Sequence, residues 1–392
     1  HHAEFVTRHI LNTITGFLAI LFASLLVRML SGWLPAIITL IALVCSPSFF
    51  GQCFNNPKDI PFAAGYIMSL YYLVRLLKEL PAARHQTKVM LALAIGFTIS
   101  IRVQGVLPLG FLLMFMGLHW LLNYANKKDN KFLVYVKHGL LIGIVAYILG
   151  ILFWPYALRN PIDGTLKALT EFDKFSYLTY YELFDGVRLF DKPWYYEPKL
   201  IMLTAPLAIL AGLVPGVLLG WKNNKTQRLM IGLVLLATFF PSAYIIYKKS
   251  YVYNGWRHFI FIYPSLVAIA ILGWYWLAGL FSNAKIKMTV MLIIGLTFIK
   301  PGIWSIVNHP YQYIYFNEIA GGVEGANGKY ELDYWNQTPR AAFKWLIENH
   351  PEVLKGDIKV SSNNIQEALK TFVPEGKDVK YAWTREYEWA DN

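Results

Sequence analysis

Charge is scarce in this sequence: 15% of its 392 residues are Asp, Glu, Lys or Arg, against about a quarter in soluble domains. An ordinary cytosolic enzyme is thereby excluded. Cysteine is scarcer still, at two residues, which rules out a disulfide-dense secreted scaffold. Also missing are a Walker loop, a nucleophile elbow, paired zinc-ligand spacings and a cysteine-pair redox motif. The Gly321-Gly322-Val323-Glu324-Gly325 run lacks the preceding strand and the spacing of a dinucleotide fingerprint, and reads as a loop. No internal repeat or low-complexity tract is present. What the chain has in quantity is apolar: 56% hydrophobic and 16% aromatic residues, with a mean hydropathy of +0.40. Such a chain is neither disordered nor collagen-like; it reads as a polytopic membrane protein.

A spanning helix needs roughly 20 mostly apolar residues. The stretches that qualify or nearly qualify are 9–29, 33–46, 60–78, 88–102, 104–123, 132–156, 199–220, 229–247, 258–280 and 287–307. The second and fourth are short, so they read as tilted, re-entrant or continuous with a neighbour. The expected fold class is an all-α polytopic membrane protein of about ten spans with a small C-terminal α/β extramembrane domain. The net charge of +12 would suggest nucleic acid in a soluble protein, but here it maps onto loops, and no nucleic-acid partner is expected. One set of loops holds Arg28, Arg75, Lys78, Arg84, Lys88, Lys127, Lys128, Lys131, Lys222, Lys225, Arg228, Lys285 and Lys287, opposed only by Glu79 and Asp129. The positive-inside rule makes that set cytoplasmic and places both ends outside. No signal peptide precedes His1, and the chain stops abruptly at Asn392, so it reads as a fragment cut at both ends. His1 and His2 are given no role as metal ligands.

Two domains follow: residues 1–307 form the multi-span transmembrane domain with an outer loop at 157–198, and 308–392 form the outer-face α/β domain. In the loop, Ile162, Leu166, Leu169 and Phe172 share one helical face, the pattern of an interfacial helix. In the C-terminal domain Thr338-Pro339 opens a helix through Asn349, with Thr338 as its N-cap. A strand over 357–361, a helix over 365–372 and a strand over 379–384 come next.

The informative residues are cations on the wrong side. Lys58, Arg102, Lys248, Lys249 and Arg257 lie in short outer loops, with Asp59 the only carboxylate among them. A guanidinium at a span end is costly unless it snorkels or meets an anion, so the group points to a bound phosphate or other anionic headgroup. Snorkelling suits Lys248 and Lys249 equally well. Asp59, ahead of Ile60-Pro61, fits an N-cap; a carboxylate at a membrane-edge cleft can also orient a hydroxyl, bind a divalent ion or act as a base. Trp194, Tyr195 and Tyr196 suit either an aromatic belt or a substrate contact. Cys45 and Cys53 flank one outer loop and can pair only in an oxidising compartment.

The stretches Ser46-Pro47-Ser48-Phe49-Phe50-Gly51, Asn55-Asn56-Pro57-Lys58-Asp59-Ile60-Pro61, Ile101-Arg102, Pro193-Trp194-Tyr195-Tyr196-Glu197-Pro198, Asn254-Gly255-Trp256-Arg257-His258 and Asp333-Tyr334-Trp335-Asn336 run along nearly the whole chain. In this order the chain resembles the polyprenyl-phosphate-dependent glycosyltransferases of the GT-C fold, in particular bacterial family-39-type proteins akin to protein mannosyltransferases and the lipid A aminoarabinose transferase. The resemblance implies an integral protein of the bacterial inner membrane, its active site facing the periplasm or exterior. It implies a polyprenyl-phosphate-linked sugar donor, surrounding membrane lipids and an acceptor the residues do not name. In that family the main catalytic carboxylate lies on the first outer loop, which would precede residue 1. Asp59 then matches the second acidic position, Arg102 and Arg257 match donor-phosphate contacts, and Lys58 and His258 neighbour them. Trp194, Tyr195, Tyr196 and Trp256 are the expected substrate-contacting aromatics. No cofactor is required, and a divalent cation is compatible with the chemistry. The competing class is a transporter or flippase of an anionic lipid or lipid-linked sugar, without covalent chemistry.

Overall fold

The computed structural model describes residues 2–383, apart from 126, 129, 173–180, 223, 251, 253, 336, 356–358, 363–372 and 374–378. Two compact units are present, His1–Glu331 and Leu332–Asn392.

The first unit is a helical bundle. Its helices are α1 (His2–Ser31), α2 (Trp33–Val44), α3 (Pro47–Asn55), α4 (Asp59–Glu79), α5 (His85–Ile101), α6 (Leu107–Asn123) and α7 (Phe132–Ile151). Two short ones follow, α8 (Pro155–Arg159) and α9 (Asp163–Phe172), then α10 (Tyr196–Thr204), α11 (Leu207–Leu219), α12 (Lys225–Lys248), α13 (Tyr263–Ala278), α14 (Ala284–Leu296), α15 (Ile299–Val307) and α16 (Gly322–Ala326). Among the described residues, seven helices are long and apolar enough to cross a membrane, and two more candidates are bent pairs: α2 with α3 at 66°, and α10 with the segment Leu207–Lys222 at 119°. With the shorter apolar helix α5, each of the stretches expected from hydropathy has a counterpart. The bends fall at Ser46-Pro47 and Ala205-Pro206, where proline removes a backbone donor and restricts the residue before it.

Burial is uneven. In α4, and in the span made by the 3₁₀ turn Arg257–Ile262 with α13, 78% of the apolar stretch is buried; in α7 the share is 22%. Helices α11 and α13 approach closely. Cβ atoms at Gly212 and Gly216 would stand 2.5 Å from the Ala270 and Ile269 carbonyl oxygens, so only glycine lets these backbones meet.

The expected inner-loop cations gather at one end of the bundle. Lys78, in the last turn of α4, reaches the Met29 carbonyl of α1 at 2.5 Å. Lys225, in the first turn of α12, reaches Leu122 of α6 at 2.7 Å, and Gln227 reaches Leu30 of α1 at 3.1 Å. Each donor satisfies a carbonyl left open at a helix C-terminus.

Two features depart from the sequence reading. The 157–198 loop carries the expected α9, with Ile162 and Leu166 exposed, but also an unexpected hairpin: β1 (Glu182–Phe184) pairs antiparallel with β2 (Val187–Leu189). Asp185 and Gly186 turn it with φ of 55° and 78°, the left-handed pair that a two-residue hairpin loop demands. The second departure is the boundary. Residues 308–331 pack with the helical unit rather than with the C-terminal one, because Asn317 is tied to it: its side-chain amide donates to the Met202 and Ala205 carbonyls, both at 2.7 Å.

In the second unit α17 (Thr338–Asn349) has the predicted bounds, and two parallel strands follow, β3 (Lys359–Ser362) and β4 (Lys380–Trp383), with Lys359 opposite Lys380 and Ser362 opposite Trp383. The cap of α17 differs from expectation. Asp333 accepts from the Gln337 and Thr338 amides at 3.1 and 2.7 Å, so the helix is closed by a carboxylate upstream of Thr338. Phe343, Val353 and Val379 form its core. The expected helix over 365–372 lies outside the described residues, as does Asn336.

Candidate functional site

The site stands at the end of the bundle opposite Lys78. Asp59 is the first residue of α4 and is 3% exposed. Asn56 positions it: the Asn56 amide donates to Asp59 Oδ2 at 2.7 Å, while Asn56 Oδ1 accepts from the Asp59 backbone at 2.8 Å. The same amide donates to Gln52 Oε1 at 2.7 Å, so Gln52, Asn56 and Asp59 form a polar file buried along α3 and into α4. Residues 52, 56 and 59 are spaced as neighbours on a helical face; that polar spacing in an apolar chain was the available signal for Asn56 and Gln52, neither of which the sequence reading gave a role.

Arg102 closes an ion pair with Asp59 through a guanidinium nitrogen on Oδ1. It occupies an extended link (φ −151°, ψ 144°) between α5 and the 3₁₀ turn Val103–Val106. That turn folds back on α5 because Gly105 rests on the backbone of Thr98 and Ile99, where a Cβ would collide. Gly105 also donates to the Arg102 carbonyl at 2.9 Å. The kink aims the guanidinium inward, with its carbon 5.9 Å from the Phe62 ring centroid.

Arg257 and His258 open the 3₁₀ turn before α13. They follow Asn254 and Gly255, which take φ of 56° and 66°. A buried carboxylate holds that turn: Glu182 Oε1 accepts from the Gly255 amide at 2.7 Å, with Lys192 Nζ 3.8 Å from Oε2. Burial pushes the Glu182 carboxyl up, and the Gly255 amide acts against that shift. Glu182 is a positioning residue that the sequence reading missed; only the Asp-Gly turn beside it hinted at local order.

The structure therefore brings together Asp59, Arg102, Lys58, Arg257 and His258. Lys58, Arg102 and Arg257 all act on His258 electrostatically. Burial first, then Arg102 and Arg257, push the Lys58 ammonium down, the signature of cations crowded beyond what one carboxylate relieves. Beside them is a cavity of about 230 Å³ with Arg102, Gln104, Tyr244 and His258 among its lining, and Phe62, Val106, Phe240 and Phe261 among its apolar walls. Leu169 of α9 also lines it. The arrangement offers a cationic end to an anion and an apolar body to a chain.

The aromatics lie elsewhere. Trp194 and Tyr195 are exposed, whereas Tyr196 and Trp256 are buried; the Trp256 indole donates to Thr204 at 2.8 Å and its ring packs on Tyr263. None of the four lines the cavity. Lys248 and Lys249 are exposed at the end of α12. Cys45 and Cys53 are both free thiols, Cys53 packed against Gly16 and Cys45 against Gly302.

The same architecture occurs in ArnT from Cupriavidus metallidurans, in a crystal structure bound to undecaprenyl phosphate. The alignment has a TM-score of 0.50 and 12% identity, over 97% of this chain and 72% of that one. The fold is GT-C. The archaeal oligosaccharyltransferase AglB from Archaeoglobus fulgidus, in complex with an inhibitory peptide and a dolichol-phosphate, aligns with a TM-score of 0.48 and 14% identity, over 97% of this chain and 50% of its own. A further structure of the Archaeoglobus fulgidus oligosaccharyltransferase, in complex with Zn and sulfate, gives 0.45 and 16% over 97% and 47%. The chain thus spans about half the length of the archaeal protein and nearly three quarters of ArnT. No protein-family model and no curated protein sequence matches it. With its apolar helices this GT-C chain is an integral membrane protein. Among the described residues no group of three His, Cys, Asp or Glu could hold a metal ion, and Asp59 is already engaged by Asn56 and Arg102.

Proposed function

We propose that this protein moves a sugar from a polyprenyl-phosphate donor to an acceptor hydroxyl on the outer face of the bacterial inner membrane. One observation carries the reading: Lys58, Arg102 and Arg257 gather around His258, Asp59 is the carboxylate among them, and Arg102 and His258 line an otherwise apolar cavity. A phosphate joined to a hydrocarbon chain matches both halves of that site. The opposite end of the bundle holds Lys78 and Lys225, which supports an outward-facing site by the positive-inside rule.

In this mechanism the bond from the anomeric carbon to the donor phosphate breaks as the acceptor oxygen forms its own. Negative charge builds on the departing phosphate, and Arg102 and Arg257 stabilise it from fixed positions in a site of low dielectric. Asp59 holds the Arg102 guanidinium in place; with both oxygens engaged it is a positioning residue, and the acceptor proton goes to another base. The order of charge, apolar wall and bulk water aligns the donor, which phosphate departure requires more than nucleophile activation.

The test is donor turnover by the full-length protein in nanodiscs with radiolabelled polyprenyl-phosphate sugars and a crude envelope acceptor. Label appearing on an acceptor, and lost in Arg102→Ala, is the expected result. Intact label carried across the membrane without transfer would replace this reading with the flippase one.

A further inference from the structure

A second cleft in the helical unit has a different chemistry. It encloses about 380 Å³, within the ~300–1,000 Å³ of small-ligand sites. Lys300, Trp304, Tyr315, Asn317, Glu318 and Gly321 line it. Its charges cancel: Lys300 Nζ is 2.6 Å from Glu318 Oε1, and that bond holds the Glu318 carboxyl below the usual carboxylate range. Two rings meet at its wall, Trp304 against Tyr315 at 5.1 Å and 70°. Tyr315 is 6% exposed as a residue, and among the described residues its hydroxyl makes no hydrogen bond, so it is open to a group in the cleft. The rest of the wall is rigid, because Asn317 spends its side chain on Met202, Ala205 and the Ile319 amide.

The cleft is joined to the cationic site by α3. Ser48, near its start, donates to the Tyr315 carbonyl at 3.4 Å and the Thr204 carbonyl at 3.2 Å; Gln52, one turn on, leads to Asn56 and Asp59. From Ser48 to Asn55 the helix rises roughly 10 Å at about 1.5 Å per residue. A group in the cleft is therefore remote from the Arg102 guanidinium.

We propose that this cleft is a subsite for a neutral sugar ring of an extended glycan, remote from the reacting carbon. The assignment follows from the lining. A net-neutral ion pair offers N–H donors and carboxylate acceptors without attracting phosphate, the Tyr315 hydroxyl lacks a partner, and the indole supplies a ring face. That the glycan belongs to the acceptor rests on the transferase reading above; the binding itself does not.

The experiment uses the full chain in nanodiscs and saturation-transfer NMR with soluble neutral oligosaccharides of one to four hexose units. We expect binding by the parent protein, weakened about fivefold by Tyr315→Phe, the loss of one hydrogen bond. Trp304→Ala should weaken it at least about tenfold by removing the aromatic wall. Gly143→Leu, on α7 with nothing within 4 Å of its Cβ, should leave it unchanged. Absence of binding by the parent protein, or parent-like binding by both cleft variants, overturns the subsite. Binding of free phosphocholine that displaces the sugars overturns it in favour of a zwitterionic lipid headgroup. If donor turnover fails while oligosaccharides still bind in a Trp304-dependent way, the transferase reading falls and the subsite stands.

Discussion

The span Arg257–Ala278 and helix α7 have similar mean hydropathies, 1.8 and 2.0, but the first is 78% buried and the second 22%. The same kind of sequence serves opposite ends. In α7, Leu133, Ile144 and Ile148 face outward, as suits a lipid-facing surface with no water to avoid. The buried span and α4 carry Arg257, His258 and Asp59 at their starts. Mounting cations on the most encased helices gives them fixed positions, which a charge-stabilising site needs and a lipid-facing helix would not supply.

Substitutions can break that contrast. Gly273→Leu should have the largest effect, since a Cβ there meets the backbone of Gly212 and Gly216. Overpacking against backbone should cost about 3 kcal/mol or more, read as loss of the monodisperse folded peak in detergent. Gly143→Leu in α7, with nothing within 4 Å of its Cβ, should elute and melt as the parent does. Equal damage from both would erase the distinction between core and periphery.

Arg102→Ala comes next. It strands Asp59 without its guanidinium, and breaking a buried pair costs about 3–5 kcal/mol. Adding Asp59→Asn should restore part of the melting temperature without restoring donor binding; a double variant no more stable than the single would show that the pair contributes little. Asn56→Ala should cost about 1–3 kcal/mol and shift donor affinity in the same direction, as the Asp59 carboxylate loses a donor.

The smallest effect is at the hairpin rim. Partial burial opposes ionisation of Asp185, but hydrogen bonds from Lys199 and Tyr330 outweigh it and hold the carboxyl below its ordinary range. A depressed carboxyl stabilises the fold above its unfolded value of about 3.9 and loses that contribution as pH falls through the lower folded value. Hydrogen exchange at Leu183 and Arg188 should quicken only in that acid window, and Asp185→Asn should abolish the dependence.

The membrane architecture was legible because hydropathy alone decides which stretches can leave water, and proline marked both broken helices. Their bends of 66° and 119° were not legible, since the angle depends on what each half packs against. The cationic residues showed themselves by standing in loops where topology disfavours them. Their convergence did not: it requires the Gly105 fold-back and the Glu182 clasp on Gly255, both contacts between segments distant in sequence. The hairpin was readable in principle from Asp185-Gly186. Asn317, which binds 308–331 to the bundle, gave no sign, because a polar residue after an apolar stretch looks like the start of a soluble domain.

The Asp59–Arg102 pair also has a chronology. Its members leave the ribosome 43 residues apart, whereas Arg257 follows Arg102 by 155 residues. At about 5–20 residues per second that interval is roughly 8–30 s. Throughout it the nascent bundle holds a carboxylate and a guanidinium that can neutralise each other while the later spans are still being made. The pair can therefore form before Arg257 exists, and the arrival of Arg257 adds to an excess of positive charge that Lys58 and Arg102 already hold over Asp59.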